Sequence, residues 1–258
     1  MTDEWNRYLR LPASTLQGGK RIPKTVFSSR AGLSKKEQKL LGNLRELRSY
    51  AILGKSNTGI LPRIDEVYDI QAVIYLDCLL GTWDRTDDLA LLLHRAFPNP
   101  TVLLMRTMDL LDGRRVSVAV KRRSLAETGA VVVETVDSTD VLDPMDGSST
   151  EFWNVFAYDR LPQNDLLDYV HGMQDAVLFH GLRSRLGFMP KPGLMHRTEI
   201  RKDLKQLKLL DTEIRQLDAK RRDRDTTFGE SAELRVLASG KKEEAQTIVD
   251  HIKELCHE

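Results

Sequence analysis

Beyond Pro192 the apolar residues of this chain settle into one rhythm. Ile200, Leu204, Leu207, Leu210, Ile214 and Leu217 recur at threes and fours among charged neighbours. A stripe of that period lies on one side of a helix, and a stripe this narrow has to be covered by another helix. After Thr226-Thr227-Phe228-Gly229 the rhythm resumes at Leu234, Leu237, Ile248, Ile252 and Leu255. Two such stripes around a short polar turn predict an antiparallel, coiled-coil-like helical hairpin over residues 195–258. Each arm, at about 22–25 residues, would extend roughly 33–37 Å.

A segment with two prolines, Pro190 and Pro192, sets this hairpin apart, and residues 187–194 read as a linker. Ahead of it the pattern is mixed. Residues 1–20 show only a short apolar cluster of Trp5, Tyr8 and Leu9 before Gly18-Gly19, and read as an N-terminal arm. Ile22–Phe27 reads as extended chain. Ser34-Lys35-Lys36-Glu37 has the form of a capping box, and Leu40, Leu44, Leu47 and Ala51 follow at helical spacing, predicting a helix over about 35–50. Ile70, Ala72, Ile74 and Leu76 alternate as in a strand. Leu89, Leu92, Leu93 and Ala96 predict a helix stopped by Pro98-Asn99-Pro100. Thr101–Thr107 and Arg115–Lys121 read as strands joined by a turn containing Asp112-Gly113. Ala130–Val136 and Phe152–Phe156 read as further strands, and Leu166, Val170, Met173 and Val177 as another helix. The expectation is an α+β body over residues 21–186, with a mixed, mainly antiparallel sheet covered by helices.

Several function classes are excluded or left without support. No run approaches the ~18 apolar residues of a membrane span. The start Met1-Thr2-Asp3-Glu4-Trp5 lacks the basic-then-apolar order of a signal peptide. The two cysteines, Cys78 and Cys256, have no metal or redox spacing. A soluble cytoplasmic protein is expected. Gly54-Lys55-Ser56 resembles the end of a phosphate loop, but the glycine needed five residues earlier is Ser49. A restriction-type nuclease needs an acidic-x-Lys triplet on a strand, and Ala119 stands two before Lys121. A cryptic nuclease could still gather Asp69, Asp77 and Glu134 around a hard cation. The six histidines form no HxxxH or HExxH pair, so neither metal nor cofactor is expected.

Charge is unevenly spread. Residues 1–60 hold 12 Lys/Arg against 4 Asp/Glu, residues 61–180 hold 10 against 20, and residues 181–258 hold 17 against 14. The basic first segment is a candidate nucleic-acid contact through Lys20, Arg21, Lys24, Lys35, Lys36 and Lys39, with Lys121, Arg122 and Arg123 as a second basic group. The alternative is that the basic and acidic parts of one fold face each other. Phe152, Trp153, Phe156 and Tyr158 fit either a core or a base-stacking platform.

These segments together resemble a bacterial and archaeal family, domain of unknown function 4391. The resemblance rests on Ile22-Pro23-Lys24-Thr25-Val26-Phe27, Asp69-Ile70-Gln71-Ala72-Val73-Ile74, Ala96-Phe97-Pro98-Asn99-Pro100, the strand Val116–Lys121 with Arg122-Arg123, and the charged hairpin. It implies the company of a Swi/Snf-like helicase and a DNA methyltransferase, as in restriction–modification and phage-defence clusters. It assigns no catalytic residue. The resulting expectation is a non-enzymatic accessory or scaffolding subunit. Its partner would be the helicase or methyltransferase, and the contact would run through the hairpin residues Leu204, Leu207, Leu210, Ile214, Leu217, Leu234, Leu237, Ile248, Ile252 and Leu255. DNA and a second copy of the chain are the other candidate partners.

Overall fold

The structure, a computed structural model, describes residues 3–28, 33–108, 113–127, 129–191, 195–223 and 226–257. It divides the chain into two compact units, Met1–Arg183 with Met189–Gly193, and Ser184–Phe188 with Leu194–Glu258. The first unit is α+β, and the second is built on the helical hairpin. Of the expected linker, residues 192–194 lie outside the described residues, as does Asp112 of the expected turn.

The first unit runs through helix α1 (Asp3–Leu9), strand β1 (Leu16–Arg21), helices α2 (Thr25–Ser28) and α3 (Lys35–Asn43), strand β2 (Leu44–Gly54) and a one-turn helix α4 (Lys55–Thr58). A small ribbon of β3 (Arg63–Ile64) and β4 (Asp69–Ile70) precedes β5 (Ala72–Leu80), helix α5 (Thr86–Ala96), β6 (Thr101–Thr107), β7 (Arg114–Arg123) and β8 (Val131–Ser138). Helices α6 (Gly147–Phe156) and α7 (Leu166–His180) follow, and the short helix α8 (Arg183–Leu186) belongs, but for Arg183, to the second unit. Six strands form one sheet in the order β1-β2-β5-β6-β7-β8. Only the β5–β6 pair, bridged by α5, is parallel.

Both faces of this sheet are covered. Alternating residues of the central strands go to opposite sides, as the two-residue repeat of a strand requires. Leu76, Cys78, Leu80, Leu103 and Met105 pack with Leu40 and Leu41 of α3 and Leu89 and Leu93 of α5. Val73, Tyr75, Val102 and Leu104 pack with Trp5 and Leu9 of α1, Phe152 and Phe156 of α6, and Val170 and Met173 of α7. This double cover explains why β6 reads as an unbroken apolar run.

Three expectations are corrected. The capping box at Ser34 and Glu37 is present, but α3 ends at Asn43 and the chain continues as a strand. Bulges between Leu44 and Glu46 and between Ser49 and Ala51 each insert a residue into β2, so its buried positions mimic helical spacing. Residues 152–156 belong to a helix, not a strand. Asp146 caps α6 by accepting from the Ser148 amide, and Ser149, Phe152, Trp153 and Phe156 are buried on one helical face. Residues 3–20 pack into the unit rather than forming an arm. Trp5, Leu9 and Leu11 are buried, and β1 is an edge strand of the sheet. Gly18 and Gly19, at φ 66° and 70°, take the left-handed backbone that lets β1 bulge between Leu16 and Lys20.

Candidate functional site

The second unit is built on α9 (Arg197–Arg221) and α10 (Phe228–His257). Thr227 and Glu230 form a reciprocal capping box at the start of α10, the Thr227 amide donating to Glu230 Oε2 at 3.0 Å and the Glu230 amide to Thr227 Oγ1 at 3.3 Å. The seam holds Ile200, Leu204, Leu207 and Leu210 from α9 and Leu234, Ala238, Ala245, Val249, Ile252 and Leu255 from α10. Polar pairs tie its flanks: Lys242 to Asp218 at 3.2 Å, His251 Nδ1 to Asp203 at 2.8 Å, and Lys241 to Glu213. Asp203 raises the His251 pKa, chiefly through that hydrogen bond.

The seam departs from expectation in α10. Leu237 stands 56% exposed, while Ile214, Leu217 and Ile248 are half-buried. Ala238 and Ala245 take the inward places, where their small side chains allow close approach of the two backbones. Alanine carries little weight in a search for large apolar residues, which is why nothing between Leu237 and Ile248 was counted in the second stripe. Besides Leu237, Val236 at 72% and Leu209 at 66% exposure are large apolar groups facing outward.

In the first unit Lys20, Arg21, Lys24, Lys35, Lys36 and Lys39 are all exposed. Lys24 has its pKa lowered by partial burial and by the neighbouring charges of Arg45 and Arg21. Three cations therefore crowd together there, and Arg45 was not among the residues singled out in the sequence. The second basic group is taken apart by the strand. Lys121 is buried, its ammonium donating to the Phe97 carbonyl, so it is not placed as an outward phosphate contact. Arg123 pairs with Asp69 at 3.3 Å, and the Arg122 side chain donates to the Arg123 carbonyl. The aromatic group Phe152, Trp153 and Phe156 is core, with Tyr158 packed against it.

The three carboxylates of the nuclease reading are not brought together. Asp69 faces Arg123, and Glu134 accepts from the Tyr68 hydroxyl at 3.0 Å. Asp77 lies on β5, three strands from Glu134 on β8, a span of roughly 14 Å at the usual strand spacing. Among the described residues no group of three His, Cys, Asp or Glu side chains is arranged to hold a metal ion.

Asp77 instead belongs to a polar pocket lined by Glu4, Trp5, Gly18, Gly19, Arg48, Tyr50 and Arg106, with a volume of about 160 Å³. Arg106 donates to both Asp77 oxygens at 3.1 Å, and Trp5 Nε1 donates to Asp77 Oδ1 at 3.0 Å. Burial works against the Arg106 cation, but the Asp77 hydrogen bonds and charge prevail and raise its pKa. With Asp77's two oxygens already engaged by three donors, the cluster is organised as a structural tie. At Gly54-Lys55-Ser56 a strand does lead into a helix, yet the Gly54 amide is taken by Asn57 Oδ1 at 2.9 Å and no glycine cradle precedes it.

A family model described as a domain of unknown function, DUF4391, matches residues 9–238. No curated protein and no solved structure shows significant similarity to the chain. No helix among the described residues is long and apolar enough to cross a membrane.

Proposed function

Since this chain belongs to the DUF4391 family, we propose that it acts as a non-enzymatic accessory subunit of a bacterial restriction–modification or anti-phage assembly. In this reading its hairpin docks onto a larger helicase or methyltransferase of the same gene cluster. The supporting observation is the outward placement of Val236, Leu237 and Leu209 on helices whose seam is already closed by other residues. Apolar side chains that a partner can bury carry much of the energy of protein interfaces, and these three stand outside the hairpin's own seam. The cytoplasm is the compartment this reading requires.

Co-purification of the tagged chain with the products of the neighbouring genes tests it. The expected result is a stable complex lost in the Val236→Asp/Leu237→Asp variant. A chain that runs alone under gentle conditions, while its neighbours assemble without it, removes the proposal.

One observation favours a second reading, direct contact with nucleic acid. The crowding of Arg21, Lys24 and Arg45 is unfavourable in isolation and would be relieved by a polyanion. A duplex shift assay across salt concentrations should show steep weakening, about 0.9 log unit per log unit of salt for each phosphate neutralised. No binding at low salt would end this reading.

A further inference from the structure

The last strand of the sheet, β8, pairs with β7 on one side only. Among the described residues, Val131–Val136 exchange no backbone hydrogen bond with any segment other than β7. Half of the main-chain donors and acceptors along this stretch therefore point away from the sheet with no strand to receive them. Natural edges are usually blunted by lysine, proline or shortness. The sequence here is Val-Val-Val-Glu-Thr-Val, rich in β-branched residues and free of lysine and proline. Its one irregularity is a bulge that leaves Glu134 without a ladder partner.

A groove of about 540 Å³ runs along this edge, lined by Leu91 and Arg95 of α5, by Phe97, by Lys121 of β7 and by every residue from Val131 to Val136. Successive side chains of a strand point to opposite faces, so six consecutive lining residues mean that the groove follows the edge itself. Six residues span about 20 Å, long enough for a short extended peptide.

The groove is also short of negative charge. Lys121 is only 3% exposed, and its ammonium donates to the Phe97 carbonyl, with no carboxylate within ion-pair distance among the described residues. Behind it His94 is fully buried between Thr101 Oγ1 and Ser117 Oγ, and burial together with the Lys121 charge keeps it neutral. Arg95 is exposed and makes no ion pair with a described residue, although Glu37 lies within its electrostatic reach. The one carboxylate in the wall, Glu134, is exposed and hydrogen-bonded by Tyr68. A free sheet edge beside an exposed arginine that makes no ion pair with a described residue suits one class of occupant.

We propose that the β8 edge and α5 together take up an extended segment of a partner protein as a seventh strand, with an acidic side chain of that segment set against the exposed Arg95. Main-chain pairing would supply affinity and Arg95 would select for acidic sequences, the division of labour typical of strand addition. The site lies within the first unit and does not depend on the hairpin.

The test uses the full chain and a capped octapeptide alternating glutamate with valine and threonine, followed by fluorescence anisotropy and amide hydrogen exchange. Binding with new protection at Val131–Val136 is expected. At least tenfold weakening should follow when lysine replaces glutamate in the peptide, when alternate peptide amides are N-methylated, or when the exposed Arg95 is changed in Arg95→Glu. Binding without β8 protection, equal binding of the lysine peptide, or no binding at the highest soluble peptide concentration overturns the proposal. So does concentration-dependent protection of β8 without peptide, which would assign the edge to a second copy of the chain. Because the readout is local to β8, failure here is distinguishable from loss of the hairpin complex.

Discussion

The indole Nε1 of Trp5 donates a 3.0 Å hydrogen bond to Asp77 Oδ1, joining the first helix of the chain to its central strand. Trp5 also packs into the aromatic core, its ring centroid 6.2 Å from that of Trp153 and tilted by 55°, and the Arg114 guanidinium sits 5.5 Å from its ring. Trp5→Ala removes all of this and should lower stability by about 3–5 kcal/mol, the usual cost of emptying a buried aromatic site. Deleting residues 1–21 should be worse, because it also strips β1 and leaves β2 as the sheet edge. Urea denaturation of the two variants provides the measurement. A loss below about 1 kcal/mol for Trp5→Ala would mean that the segment is a loose arm.

This tie also marks the limit of what the sequence discloses. The helices α5, α7 and α9 were legible because each carries a local helical period, and β6, β7 and β8 because they are β-branched or apolar runs bounded by turns. The strand β1 was not, since left-handed Gly18 and Gly19 and a bulge erase its alternation. The strand β2 imitated a helix through its two bulges. In α6 the density of aromatic residues suggested a strand, although Ser149, Phe152, Trp153 and Phe156 already sat at helical intervals. The polar cluster was the least legible, because Trp5 and Asp77 are 72 residues apart and nothing local links them. Asp77 stood out as an acidic strand residue, but its partners, and so its role, come only from the fold.

That role can be separated from catalysis. The Asp77–Arg106 pair is half-buried and bidentate, so Asp77→Ala should leave Arg106 and Trp5 without their acceptor and cost about 3–5 kcal/mol. The double variant Asp77→Leu/Arg106→Met should recover much of that loss, because removing both charges leaves only the Trp5 indole N–H without its acceptor. Denaturation midpoints of the single and double variants decide the matter. A double variant as unstable as the single one would show that the charges are needed for something beyond pairing with each other.

In the hairpin, two leucines of similar sequence appearance should behave differently. Leu207 lies in the seam and Leu237 faces outward. Leu207→Asp buries an unpaired carboxylate and should destabilise the helical pair by several kcal/mol, visible as an early loss of helical circular dichroism on heating. Leu237→Asp should leave the melt within about 0.5 kcal/mol of the parent, as exposed substitutions usually do. If partner binding runs through the outward face, Leu237→Asp should nevertheless weaken co-purification. Equal thermal losses in the two variants would mean that Leu237 contributes to packing after all.

Lys121 gives the chain a measurable pH signature. Burial lowers its pKa from 10.5 to about 7, and the Phe97 carbonyl is a hydrogen-bond acceptor but no counter-charge. Below pH 7 the lysine is protonated in both the folded and the unfolded chain, and the cost of holding a buried ammonium is carried in full. Between pH 7 and 10.5 the folded chain has released that proton while the unfolded chain still binds it. Stability attributable to this residue must therefore rise with pH across that window, by up to about 1.4 kcal/mol per pH unit. Tyr75 and Tyr169 act in the opposite sense at higher pH, because burial raises both of their pKa values. The quantity to follow is thus the difference between the parent chain and Lys121→Met, measured by urea denaturation from pH 6 to 10. The parent should gain on the variant steadily above pH 7 and keep a constant offset below it. Parallel profiles over the whole range would show that the ammonium is solvated in solution.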